Sequence, residues 1–192
     1  MRKLIMLAMT GTLVLAGGLA WAQKARVSPL RPIPAIQSLS PPQKPRPFTT
    51  ISGMTASPTT IQFTANDPGS TVAGNSSATV KYSLTNGVFG TWTLSVYASS
   101  TTFTGCSTVP ATAVSVECSS ATANSGTFSS ASCSATSYTS LPTTAPGLQV
   151  ASGSEGFGSS SYTVVLNYEL SDSWEYIANT CPLTITYTVN AP

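Results

Sequence analysis

The chain has 192 residues, of which only 14 are charged (eight Lys or Arg and six Asp or Glu), and it contains no histidine. Without histidine, Ser-His-Asp and Cys-His catalysis and any imidazole-bound zinc site are excluded. The small surplus of base over acid argues against nucleic acid as a partner.

In chain order, residues 1–22 read as a signal peptide. Arg2 and Lys3 precede an apolar run from Leu4 to Leu15, and Ala20-Trp21-Ala22 supplies a small-x-small cleavage pattern. That run is too short for a retained membrane anchor, and no later segment reaches the roughly 18 apolar residues a span requires. No cysteine lies near the cut. The mature chain is therefore expected to begin at Gln23, with no lipid anchor, no membrane span and no C-terminal sorting tail.

Residues 23–48 form a basic, Pro-rich tail. Lys24, Arg26, Arg31, Lys44 and Arg46 carry +5 with no acid among them, and seven of the 14 prolines fall here. The composition favours polyproline II and excludes helix. Val27, Leu30, Ile33, Ile36 and Leu39 recur every third residue. Polyproline II has three residues per turn, so these five share one face and make a docking stripe. A donor strand fits less well, because its period mixes Arg31 and Pro29 into the apolar face. The tail's charge suits its own domain, a neighbouring copy or an anionic surface, and a plain solvated linker is the simpler reading.

Residues 49–192 read as a β domain of charge −5, with Lys81 its one base. Of its 144 residues, 54 are Ser or Thr, which keeps the outward faces polar without charge. Ile61 and Phe63 share a face. Val80, Tyr82 and Leu84 alternate with Thr79, Lys81 and Ser83. Trp92, Leu94 and Val96 point inward while Tyr97 points outward. Val114 and Val116, then Val164, Leu166, Tyr168 and Leu170, and finally Leu183, Ile185, Tyr187 and Val189 repeat the pattern. This is half-buried antiparallel strand patterning. Turn signals at Asn66–Gly69, Asn86-Gly87, Asn124–Gly126, Ala145–Gly147 and Gly153–Gly158 separate the runs. The expected fold is a single all-β, immunoglobulin-like antiparallel sandwich. Ser119–Ser137 lacks bulky apolar residues and is expected to be a long loop.

Cys106, Cys118, Cys133 and Cys181 form an even set, which in an exported chain implies two disulfides. Three pairings are open. The preferred pairing joins Cys118 to Cys133, stapling the Ser/Thr-rich stretch, and Cys106 to Cys181, tying the middle of the domain to its last strand. A four-thiolate zinc site lacks the C-x-x-C spacing.

The domain resembles the WxL-domain surface proteins. The resemblance rests on Trp92-Thr93-Leu94, then Phe103, Gly105, Pro110 and Ala111, then the glycine-rich Gly153–Gly158. Tyr162–Leu166 and Tyr176-Ile177-Ala178 follow, leading into Thr186–Val189 and Ala191-Pro192. The second W-x-L of that family is Tyr187-Thr188-Val189 in this chain, and the four cysteines and the basic tail are additions to the family pattern. The resemblance implies a secreted β domain held non-covalently on peptidoglycan or the cell surface.

Glu169, Asp172 and Glu175 cluster in sequence, as a calcium site or a glycosidase pair would, but a solvated acidic loop explains them better. Lys81, between Thr79 and Ser83, lies on a polar face, which disfavours an isopeptide bond. Trp174, with Tyr97 and Tyr176, is the candidate ligand or partner contact, since exposed aromatics stack on sugars. A lid over the sandwich end is the simpler reading of Trp174, since large aromatics are mostly buried. The expected protein is secreted and non-enzymatic, with no cofactor or metal. Its expected role is adhesion or envelope association through cell-wall or extracellular polysaccharide. The runner-up is a subunit of a fibre or surface layer, with the tail docking on another copy of itself.

Overall fold

The computed structural model describes residues 49–64, 68–86, 89–176 and 181–191. The expected signal peptide, the basic tail and its expected stripe of Val27, Leu30, Ile33, Ile36 and Leu39 lie outside the described residues.

The alternation seen in the sequence becomes twelve strands: β1 (Thr50–Ser57), β2 (Thr71–Ala73), β3 (Ala78–Asn86), β4 (Gly90–Ala98), β5 (Thr102–Phe103), β6 (Cys106–Pro110), β7 (Val114–Ser125), β8 (Ser130–Cys133), β9 (Thr139–Ser140), β10 (Leu148–Glu155), β11 (Gly158–Ser171) and β12 (Ile185–Asn190). A single 3₁₀ turn, Ala111–Ala113, is the one helical element among the described residues. No helix there is long and apolar enough to cross a membrane.

One sheet has the order β1-β3-β11-β7-β9, with β2 paired to the end of β11 that β3 does not reach. The other has the order β12-β4-β10-β8, and β5 and β6 form a separate hairpin. Every pairing is antiparallel. The protein is thus an all-β sandwich. In β1 the register against β3 shifts between Ser52 and Thr55, and Gly53 (φ +62°) supplies the left-handed residue this bulge uses.

The core lies between the sheets. Val80, Tyr82 and Leu84 from β3 and Val164, Leu166, Tyr168 and Leu170 from β11 face Trp92, Leu94 and Val96 from β4 and Ile185 from β12. Ile61 and Phe63 are fully buried too, although the segment carrying them is not a regular strand. On the outer faces hydroxyls and amides bond across strands, as in Ser125 to Ser161 (2.7 Å), Asn124 to Thr163 (2.8 Å) and Ser130 to Ser154 (2.8 Å). This is how a surface so poor in charge satisfies its polar groups.

Ser119–Ser137 is not a loop. β7 runs on to Ser125 and β8 starts at Ser130, so the stretch is chiefly two strands, one in each sheet, joined by a short connection between the sheets. Small residues serve because β7 pairs with β11 over its whole length and needs no bulky side chains there. Gly153–Gly158 is not one turn either. β10 continues through Glu155 and β11 resumes at Gly158, leaving Gly156 and Phe157 as the connection. Cys118 bonds Cys133 (Cα–Cα 5.5 Å), joining the two sheets along one edge, and Cys106 bonds Cys181 (Cα–Cα 5.9 Å).

The hydroxyls of Tyr168 and Tyr187 meet across the core at 3.0 Å. Burial raises the ionisation of both, that of Tyr187 to about 12, and burial likewise raises Tyr82. Above pH 10 an unfolded chain releases these protons while the folded one keeps them. Stability is therefore full below about pH 10 and falls as pH rises past it, by about 1.4 kcal/mol per pH unit for each tyrosine. Three such groups give a slope of up to about 4 kcal/mol per unit. Urea midpoints compared at about pH 9 and about pH 11 check this; a flat profile would contradict the burial of these hydroxyls.

Candidate functional site

The strand registers bring three turns to one end of the sandwich. β3 ends where Asn86 pairs Gly158, β4 begins where Gly90 pairs Glu155, and β8 begins where Ser130 pairs Ser154. β1 starts at the same end, opposite Thr85. The β3–β4, β7–β8 and β10–β11 connections therefore lie side by side. Gly156 touches the backbone of Thr127 so closely that a Cβ there would collide with the Thr127 carbonyl.

Each of these connections carries a phenylalanine in solvent. Phe89 is 65 %, Phe128 78 % and Phe157 67 % exposed. The rings of Phe89 and Phe128 lie 6.0 Å apart, edge to face at 73°. Phe128 has φ +63°, a backbone state that bulky residues seldom adopt. Three apolar rings on adjoining turns are not what water selects for, and exposed apolar clusters of this kind mark contact surfaces.

A rigid aromatic floor lies beneath them. Trp92 sits 4.8 Å from Tyr162 and 5.4 Å from Tyr82, and the two tyrosines stack at 5.4 Å. Trp92 reaches this position because Gly153 leaves room for its ring. The Tyr162 hydroxyl donates to the Ser154 carbonyl at 2.9 Å. Glu155, 1 % exposed, accepts at Oε1 from the Thr49 hydroxyl at 3.0 Å, which fixes the start of the domain to this end. Among the described residues, Tyr82 OH and Glu155 Oε2 are buried without a hydrogen-bond partner, while Trp92 Nε1 and Ser160 Oγ, also buried, face the Tyr162 hydroxyl without a well-formed hydrogen bond to it. Such groups cost about 1–3 kcal/mol each. The fold concentrates that cost next to these turns, in keeping with the tendency of functional regions to break local rules.

The opposite end carries the acids. Glu117, level with Asn167, accepts from the Asn167 amide at 3.0 Å. Glu169 lies next along the same sheet, and burial, then Glu117, raises its ionisation. Asp172 and Glu175 follow β11 in the loop beyond. No group of three or more acidic or thiol side chains that would hold a metal occurs among the described residues.

Trp174 occupies this far end and is 76 % exposed, so it closes nothing. Tyr176 packs partly against the core in its place. The reason is local: the Asp172 carboxylate and Ser173 carbonyl accept backbone N–H groups of their own loop, which turns the chain so that Tyr176 faces inward. Tyr97 is half-buried on the outer face of β4. No ring contact joins Tyr97, Trp174 and Tyr176 among the described residues. Lys81 is exposed on β3, as its polar neighbours suggest.

No protein-family model, no curated protein and no solved structure matches the chain. The phenylalanine end was missed by strand alternation, which ranks inward residues and passes over turns. Its signal was nonetheless present: Phe89 follows Asn86-Gly87, Phe128 follows Asn124-Ser125-Gly126 and Phe157 lies between Gly156 and Gly158, each a large ring at a turn signal, where no core position calls for it.

Proposed function

We propose that the protein is an exported, non-enzymatic, envelope-associated adhesion module that attaches by its loop end. The observation that carries this reading is the exposure of Phe89, Phe128 and Phe157 on three adjoining turns of a disulfide-tied sandwich. The signal-peptide pattern and the paired cysteines support export. The resemblance to WxL-domain surface proteins supports attachment to an envelope.

A ring buried against a partner contributes about 1.5–3 kcal/mol, so the three together outweigh any scattered polar contact. Replacing all three with serine is expected to lower the envelope-bound fraction of the exported protein more than tenfold. The melting transition should shift little, since exposed turn residues change stability by about 0.5 kcal/mol or less. Fractionation of cells expressing either form measures this. Equal retention of the two forms sinks the reading.

A second reading, a subunit of a fibre or surface layer, is favoured by charge placement. The basic tail joins the domain at Thr49, at the loop end, while Asp172 and Glu175 lie at the other end. One copy's tail would meet the next copy's acidic end, and such a head-to-tail contact is open-ended. Concentration-dependent polymers in sedimentation velocity, lost on deleting residues 23–48, would favour it over loop-end attachment.

A further inference from the structure

We infer that the loop end takes a lysine side chain of its partner, with the ammonium on the buried Glu155 carboxylate beside Ser160 and the aliphatic stem against Phe89, Phe128 and Phe157. This rests on the reading of the loop end as the attachment surface and names the chemistry that surface meets.

The first observation is a polar layer where the strand pattern asks for an apolar one. Tyr82 and Tyr162 pair across β3 and β11, Trp92 and Gly153 pair across β4 and β10, and the three rings lie between the sheets. Side chains alternate along a strand, so the next inward positions toward the turns are Glu155 on β10 and Ser160 on β11. Both are fully buried, directly beneath the turns that carry the phenylalanines. Glu155 Oε1 accepts from the Thr49 hydroxyl, but Oε2 has no partner among the described residues, and Ser160 Oγ has no well-formed hydrogen bond.

The second observation is charge. A buried carboxylate is destabilising unless it is paired. Among the described residues Lys81 is the only Lys or Arg, and it is exposed on the face of β3 opposite Tyr82. A cation from outside therefore completes the site. No group of three acids or thiols is present there to hold a metal. A guanidinium fork uses both carboxylate oxygens, and Oε1 already serves Thr49. The compact ammonium of lysine needs one oxygen and has further donors for a hydroxyl such as that of Ser160. Its stem lies naturally along apolar surface, which the three exposed rings supply.

The third observation is the cover. A Cβ at Gly126 would meet Ser160 Oγ, and one at Gly156 would meet the Thr127 carbonyl, so the β7–β8 turn lies directly on the polar layer. Phe128, within that turn, has φ +63°. Backbone strain of this kind gathers at ligand clamps and switch regions. Lifting the turn opens the way to Glu155.

An NMR titration of the isotope-labelled chain from Gln23 onward, with Nα-acetyl-lysine amide as probe, tests the inference. Saturable shifts are expected at the Trp92 indole N–H and at the amides of Thr127, Phe128 and Ser129. The norleucine analogue, which lacks the ammonium, and the variant Glu155→Gln should each bind at least about tenfold more weakly. Ethanolamine, which lacks the long stem, and the variant F89S/F128S/F157S should also bind about tenfold more weakly. No saturable shift, equal binding of the norleucine analogue, or full affinity in a folded Glu155→Gln variant overturns the inference. If Glu155→Gln unfolds, the norleucine and triple-variant arms decide it. If the probe fails to bind while the triple variant still loses envelope retention in cells, lysine falls and loop-end attachment stands. If the probe binds as expected while the triple variant keeps full retention, the ammonium site stands and loop-end attachment falls.

Discussion

Serine at both Cys106 and Cys181 is expected to destabilise the domain by about 4.5 kcal/mol, the chain-entropy value for the 75-residue loop this bond closes. The Cys118–Cys133 bond closes only 15 residues, for which the same reasoning gives about 3 kcal/mol. The structure adds a local reason for the ranking. The β5–β6 hairpin pairs with neither main sheet. Beside the Cys106–Cys181 bond it is tied by a few backbone bonds, such as Thr104 N–H to the Pro182 carbonyl (2.8 Å). Cys106, Cys181, Phe103 and Val109 are nonetheless buried, so loosening the hairpin exposes part of the core. Denaturant titration of the two double variants should show the larger loss at Cys106/Cys181. The opposite order, or a loss below about 1 kcal/mol for that pair, would contradict this placement of the hairpin.

Trp92→Ala is expected to cost about 3–5 kcal/mol, as for other large aromatics removed from a packed core. The indole bridges the sheets: it sits on β4 yet touches Tyr82 and Tyr162 of the facing sheet. Its Nε1 is buried and faces the Tyr162 hydroxyl without a well-formed hydrogen bond, so the ring stabilises chiefly by packing. Trp92→Phe keeps much of the packing and gives up only a poorly formed polar contact, and should cost less than half as much. Equal losses for Ala and Phe would mean that the indole N–H matters after all. Because this cluster underlies the three turns, the alanine variant should also weaken envelope retention even at temperatures where it stays folded.

Much of the fold was legible because the core strands alternate cleanly. Trp92, Leu94 and Val96, like Val164 to Leu170, repeat with period two, and burying one face of each settles the sandwich. The cysteine pairing preferred for the segments it would tie together is the one the structure holds. What alternation cannot express is pairing that rests on the backbone. β8 and the end of β7 consist of Ser, Ala, Thr, Asn and Cys, and they are strands because β10 and β11 offer open edges. The candidate site was less legible for a related reason. Trp174 stood out as an aromatic in a polar loop, and it is indeed exposed, but it stands alone at the acidic end. The three phenylalanines are far apart in sequence and become neighbours only through the registers of β3, β8 and β10. Nothing in the glycine-rich Gly153–Gly158 stretch marks Glu155 as an inward acid, yet it is buried under the turns and bonded to Thr49.

Hydrogen–deuterium exchange on the chain from Gln23 onward, alone and mixed with isolated cell envelope, tests the proposed loop-end attachment most directly. Slowed exchange confined to the turns around Phe89, Phe128 and Phe157, with the loop around Trp174 unchanged, is the result expected. Slowed exchange around Trp174 and Tyr176, with the three turns exchanging as in the free protein, would place attachment at the acidic end and contradict it.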